Sequence, residues 1–174
     1  MGKFMPRFTN QAQLRYGNSV TNSNIAVGEI LEVLSMTKTA VRSQYDPNGH
    51  ITYVISILNS GTLPVNGLTV TDNLGAYTSG LTTLTPLNYL AGSVKYYING
   101  TLQAAPAVTA GPPLSITGIS VPAGGNAVIV YETQVNEFAP LATEAAITNT
   151  ATADGAGITA ITAEETVGVL SAPL

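Results

Sequence analysis

Three polar residues stand on strand faces that alternation makes apolar. Lys38 in "LSMTKTA" is in phase with Leu34, Met36 and Ala40. Asp72 in "LTVTD" is in phase with Leu68 and Val70, and Asn149 in "ITNTA" with Ile147 and Ala151. Side chains two residues apart share one face of a strand, so all three are expected to point into an apolar interior. A buried ammonium without a partner is strongly unfavourable, so the amine, the carboxyl group and the carboxamide are expected to meet. One outcome is a buried Lys38–Asp72 salt bridge with Asn149 capping a turn. Glu132 follows Val128 and Val130 in register and rivals Asp72 as the acid.

The elements that must position this trio are strands. Hydrophobic residues make up 45% of the 174, β-branched residues come in runs, and helix formers in amphipathic spacing are nearly absent. Strand-like runs cover 33–45, 50–61, 67–75, 93–103, 113–122, 126–136 and 147–170, each bounded by turn chemistry. The Asn99-Gly100 pair is the strongest hairpin signal among them. Residues 76–92 read as loop and edge. About eight strands over roughly 140 residues is a β-sandwich count, so the class is all-β.

Residues 8–31 and 147–170 look alike. Both begin T-N-x-A, pass a glycine turn, add a Thr-rich arm and close on V-G-x-[IL]. In the first, Phe8, Asn10, Ala12, Leu14 and Tyr16 share one face by alternation, with Phe4 and Pro6 extending it backwards. The chain therefore divides into an N-terminal strand or hairpin extension, 1–31, and a sandwich, 32–174.

The pattern "MTKTA…GHITYVISILNSG…LTVTDNLG…YLAGSVKYYINGT…ISVPAGG…ITNTATADG" resembles the Ig-like repeats of bacterial and archaeal surface proteins known as domain of unknown function eleven. It covers about residues 33–170. The resemblance implies an Ig-like β-sandwich, and a family habit of tandem arrays in which an N-T-A hairpin leads into the next repeat's Lys strand. Residues 8–31 resemble such a closing hairpin from a preceding repeat. The trio itself resembles the Lys–Asp–Asn set of Gram-positive pilin and adhesin domains that form an intramolecular isopeptide bond. That resemblance makes Lys38 the nucleophile, Asn149 the electrophile and Asp72 the acid that polarises the carboxamide.

A hairpin alone is marginal in water, so the apolar face of the extension (Phe4, Phe8, Ala12, Leu14, Tyr16) needs a cover. One cover is another copy of the chain, with the extension acting as a donor strand on the next sandwich. Such a contact is heterologous and makes a filament, a homopolymer, when its rotation does not close. The other is its own domain, with the extension folded back as extra strands. An adhesin or ligand-binding module is the alternative function, with loops 76–92 and 104–113 as contacts; these offer Tyr77 and Tyr89 as anchors and little else.

Other chemistry is thin. Six basic against ten acidic residues exclude an arginine-rich nucleic-acid binder. There is no cysteine for a disulfide or thiolate site, and His50 alone cannot make a two-histidine metal site or a credible serine triad. "PAGG" at 122–125 is a turn with no helix after it, and "DPNG" at 46–49 offers too few oxygens for a calcium loop. No metal, cofactor or enzymatic activity is expected. No stretch approaches the roughly 20 apolar residues of a membrane span. "MGKFMPRFTNQ" carries no apolar signal-peptide core, which suits assembly inside a mother cell, as for spore appendages. The expected setting is extracellular, on a cell or spore surface.

Overall fold

A computed structural model of the chain describes residues 7–29 and 32–170, with the side chains of Arg7 and Glu29 excepted. Phe4, expected on the apolar face of the extension, lies outside the described residues. The chain divides into two compact units, Met1–Val33 and Leu34–Leu174.

The first unit is a long hairpin interrupted once. Strands β1 (Arg7–Asn10), β2 (Gln13–Tyr16), β3 (Ser19–Asn22) and β4 (Ala26–Glu29) pair antiparallel as β2 with β3 and β1 with β4. Between the two pairs, Gln11 and Ala12 are held to Ser23 by side-chain and main-chain bonds. Phe8 faces Gly28 in the register, and its ring lies where a Cβ on residue 28 would sit. The resemblance to the C-terminal hairpin stops short of pairing: Thr9 faces Val27, whereas the matching Val167 faces Ile147, one residue before Thr148. A slip of one residue exchanges the two faces of a strand.

The second unit is the Ig-like β-sandwich. Its strands are β5 (Leu34–Ala40), β6 (Gln44–Tyr45), β7 (His50–Asn59), β8 (Val65–Asp72), β9 (Tyr77–Ser79), β10 (Thr82–Leu84), β11 (Leu87–Tyr89), β12 (Lys95–Ile98), β13 (Thr101–Leu102), β14 (Ala107–Thr109), β15 (Leu114–Val121), β16 (Asn126–Val135), β17 (Ala146–Asp154) and β18 (Ile161–Val169). One sheet runs β13-β12-β16-β7-β5, with β11 also on β16; the other runs β14-β15-β8-β17-β18-β6. All pairs are antiparallel except β6 with β18. The run 33–45, read as one strand, switches sheets: β5 pairs β7 in the first sheet, and β6 joins β18 in the second.

The core follows from period-two alternation. Ile51, Tyr53, Ile55 and Ile57 of β7 and Ala127, Ile129, Tyr131 and Val135 of β16 are buried from one sheet. Leu68, Val70, Leu114, Ile116, Ile119, Ile147, Ala151 and Val167 are buried from the other. Ile116 and Ile119 both turn inward because the β15–β8 register shifts between Thr117 and Ile119. The Asn99-Gly100 turn has φ of 46° and 80°, the left-handed pair that a tight two-residue hairpin needs.

Two expectations need correction. Residues 76–92, expected as loop and edge, hold more strand than that: β9 and β10 form a small hairpin, while β11 adds to β16 in keeping with the edge expectation. Part of the presumed contact loop 104–113 is β14, paired on β15. Short strands without sustained apolar alternation leave little periodic signal to find.

Candidate functional site

Lys38, Asp72 and Asn149 are all buried, each in phase with the apolar residues around it on β5, β8 and β17. Lys38 projects from the first sheet and the other two from the second. Lys38 Nζ donates to Asp72 Oδ2 as a buried ion pair. Glu132, the rival acid, is excluded by one position of parity. It is half-buried on the opposite face of β16 and takes a bond from Thr52 Oγ1 at 3.4 Å, while its neighbour Tyr131 points into the core.

Tyr131 is the member that alternation alone did not single out. Its hydroxyl donates to Asp72 Oδ2 at 2.5 Å, accepts from Lys38 Nζ at 3.0 Å and accepts from Asn149 Nδ2 at 3.4 Å. One oxygen therefore touches all three members of the trio. A tyrosine in phase with Ala127 and Ile129 reads as ordinary core, because its ring packs like any other. In the structure the register Tyr131↔Tyr53 puts two large phenols side by side on neighbouring strands. Their rings stack with centroids 5.7 Å apart, and Lys38 Nζ lies 4.8 Å from the Tyr53 centroid, within cation–π range. The Tyr53 hydroxyl sits buried beside Asn149 without reaching hydrogen-bond geometry.

The turn after β8 completes the site. Asp72 Oδ1 accepts from Leu74 N at 2.9 Å, and Asn73 Oδ1 accepts from Gly75 N at 2.9 Å and Thr150 N at 3.0 Å. Leu74 and Gly75 both take positive φ, 54° and 72°, which swings the Gly75 N–H toward β17. That N–H also donates to Asn149 Oδ1 at 3.2 Å. Asn149 thus caps the 73–75 turn with its oxygen and donates through its nitrogen to the Tyr131 hydroxyl, which in turn touches the ion pair.

Electrostatics favour a reactive amine. Burial is the main influence on Lys38 and pulls its pKa below the ordinary lysine range, against the charge and hydrogen bond of Asp72 and a smaller pull from Glu165. Glu165 faces Asn149 across the β17–β18 ladder. Burial pushes the Tyr131 phenol far above its usual range, reinforced by the Asp72 charge and only partly offset by Asn149. Burial likewise raises Tyr53, with the nearby Asn149 amide pulling the other way. An amine held toward its neutral form, a carboxamide with its oxygen on an N–H donor, and an acid between them are the parts an aminolysis requires. Among the described residues no group of acidic, histidine or cysteine side chains could hold a metal ion.

The extension's predicted residues present the opposite picture. Phe8, Ala12, Leu14 and Tyr16 are exposed, Leu14 by 70% and Tyr16 by 85%. Val20, Ile25 and Val27 on the same hairpin are exposed as well.

No family model matches the chain, and no curated protein matches it either. Solved structures do. A variant of BcpA, the major pilin subunit of Bacillus cereus, superposes with a TM-score of 0.54 at 14% identity, over 94% of this chain and 48% of that one. The full-length major pilin SpaD of Corynebacterium diphtheriae gives 0.55 at 14%, over 78% and 35%. The full-length major pilin RrgB of Streptococcus pneumoniae gives 0.55 at 11%, over 74% and 24%. The chain spans about half or less of the length of these structures. At such identities the likeness establishes the fold: an all-β, Ig-like sandwich of the kind that occurs in major pilins.

Proposed function

We propose that this chain is a structural subunit of an extracellular filament, of the surface-repeat kind its motifs resemble, and that it polymerises by strand addition. The N-terminal hairpin of one copy lies on the sandwich of the next, with main-chain bonds supplying affinity and Phe8, Ala12, Leu14 and Tyr16 supplying register. The observation that carries this reading is the hairpin itself. The hairpin, two short two-stranded ladders and their connection, exposes six large apolar side chains, Phe8, Leu14, Tyr16, Val20, Ile25 and Val27. Isolated hairpins are marginal and exposed apolar ladders invite pairing. On the sandwich, β17 is paired with β8 only from Ala151 onward. Where β8 turns away, a groove of about 480 Å³ opens between Asn73, Tyr77, Pro86, Pro140, Ile147 and Thr150, and we take it as the place an incoming strand would enter. Deleting residues 1–16 tests this by electron microscopy: a folded protein without filaments is expected, and filaments from the truncated chain overturn the reading.

The buried trio has a part in the same reading. Lys38 Nζ, neutral after passing a proton to Asp72, attacks Asn149 Cγ. The Nζ–Cγ bond forms, the Cγ–Nδ2 bond breaks, and one ammonia leaves. The Gly75 N–H stands at Oδ1, where negative charge develops. The product is an internal isopeptide bond from β5 to β17, a covalent tie in a chain that has no cysteine. Intact mass reads it directly as the loss of one ammonia from the sequence value.

A further inference from the structure

We infer that the Tyr131 hydroxyl is a catalytic residue of this bond formation, carrying a proton from Asp72 to the departing nitrogen of Asn149. The inference rests on the isopeptide reading above and adds the step that reading leaves without a carrier. An amide nitrogen leaves only after it gains a proton, so an acid must stand within reach of Nδ2. Asp72 is committed elsewhere: Oδ1 holds Leu74 N, and Oδ2 faces Lys38 and Tyr131. The group at Nδ2 is Tyr131 Oη, 3.4 Å away, and that oxygen is 2.5 Å from Asp72 Oδ2.

The protons balance along this route. In the resting site Asn149 Nδ2 donates to Tyr131 Oη, which donates to Asp72 Oδ2. Lys38 gives one proton to Asp72 and attacks as the amine. Once Cγ is tetrahedral, Nδ2 is an amine with a lone pair, so its bond to Tyr131 can reverse. Tyr131 then donates its proton to Nδ2 while accepting one from Asp72, and Nδ2 leaves carrying it. The attacking nitrogen surrenders its remaining surplus proton to the vacated Asp72 carboxylate, which keeps it. Nζ keeps one hydrogen as the amide, ammonia takes three, Asp72 ends protonated with the fifth, and the phenol ends as it began. The shuttle is concerted, because burial and the Asp72 charge make a free phenolate at residue 131 strongly unfavourable.

Tyr97, half-buried on the outer face of the first sheet and paired with Val128, supplies a control outside the site. Full-length chains made by cell-free synthesis, quenched at intervals and weighed intact, give the rate of ammonia loss. Tyr131→Phe is expected to slow it about 100-fold or more, the usual loss on removing a general acid, while Tyr97→Phe keeps the wild-type rate. Tyr131→Phe reacting at the wild-type rate overturns the relay and leaves the bond intact as a reading. A wild-type chain that never loses ammonia overturns both. If Tyr131→Phe fails to fold, fluorotyrosine placed at position 131 keeps the ring and hydroxyl and decides the matter. A changed rate with a shifted pH profile supports proton transfer through Oη, and an unchanged rate and profile overturns it.

Discussion

Lys38 of β5 and Asp72 at the end of β8 meet as ammonium and carboxylate across the interior of the sandwich, both closed off from solvent. The pair joins the two sheets by charge as well as by apolar packing. A buried pair of this kind is weak evidence for stability, because desolvation offsets much of the attraction, but breaking it from one side is costly.

Asp72→Ala should therefore destabilise the sandwich severely. It leaves the Lys38 amine buried without its partner and removes the Oδ1 acceptor that holds Leu74 in its positive-φ turn. A loss of about 3–5 kcal/mol is expected from the charge alone. Replacing both residues, Lys38→Met with Asp72→Leu, should recover much of that loss. Urea denaturation of the two variants in an Asn149→Ala background, where no covalent tie can form, makes the comparison.

Asn149→Ala should restore the full sequence mass and lower stability. Closing a loop on the order of 100 residues by a covalent tie is worth about 4–5 kcal/mol in the chain-entropy account. The same substitution removes an acceptor from Gly75 N–H. Thermal unfolding alongside intact mass checks both effects, and equal melting temperatures would count against the tie.

The pH dependence of the untied Asn149→Ala protein follows from Lys38. Its pKa is lowered in the folded state from the ordinary 10.5, mainly by burial. Between the lowered value and 10.5 the unfolded chain binds more protons than the folded one, so Lys38 makes stability rise with pH across that window. Tyr53 and Tyr131 act oppositely, their pKa values being raised by burial from the ordinary 10.0. Above that value the unfolded phenols release protons first and stability falls. Urea midpoints measured against pH should climb as pH rises toward 10.0 and then turn down; a wild type in which Lys38 has formed the proposed amide should lack the climb.

Tyr53→Phe should leave stability unchanged or raise it. A buried hydroxyl without a partner carries a desolvation penalty of about 1–3 kcal/mol, and phenylalanine keeps the stacked ring. A melting temperature well below wild type would show that the hydroxyl has a partner in solution.

Leu14→Asp or Tyr16→Asp should abolish filaments without weakening the sandwich. Both residues are highly exposed on the first unit, so the change in folding stability should stay within about 0.5 kcal/mol. Negative-stain imaging and denaturant unfolding of the same preparation separate the two effects.

The buried trio was legible because strand alternation has a period of two and each polar residue sat among apolar ones. Tyr131 was not, since an aromatic on a core face announces only packing; its chemistry depends on what three other strands bring to its hydroxyl. Glu132 illustrates the reverse. Its spacing to Val128 and Val130 was read correctly, but those valines line the half-buried outer face of β16. The sheet switch between β5 and β6 and the short strands of 77–89 escaped because pairing partners lie far away in the sequence. The likeness of 8–31 to 147–170 pointed to a hairpin, while the one-residue difference in the register of its described strands is set by the Gln11–Ala12 interruption and by Phe8 lying over Gly28.

The position of Lys38 near the start of the sandwich, and of Asn149 at its closing hairpin, has a mechanical meaning. Tension entering the unit at Leu34 would cross a covalent tie to β17 and leave along β18, so the strands from β7 to β16 would carry no load. A fibre built from such units would stretch and fail at the joints between copies, where a hairpin has merely been laid in place, and its beads would stay folded until the string had come apart.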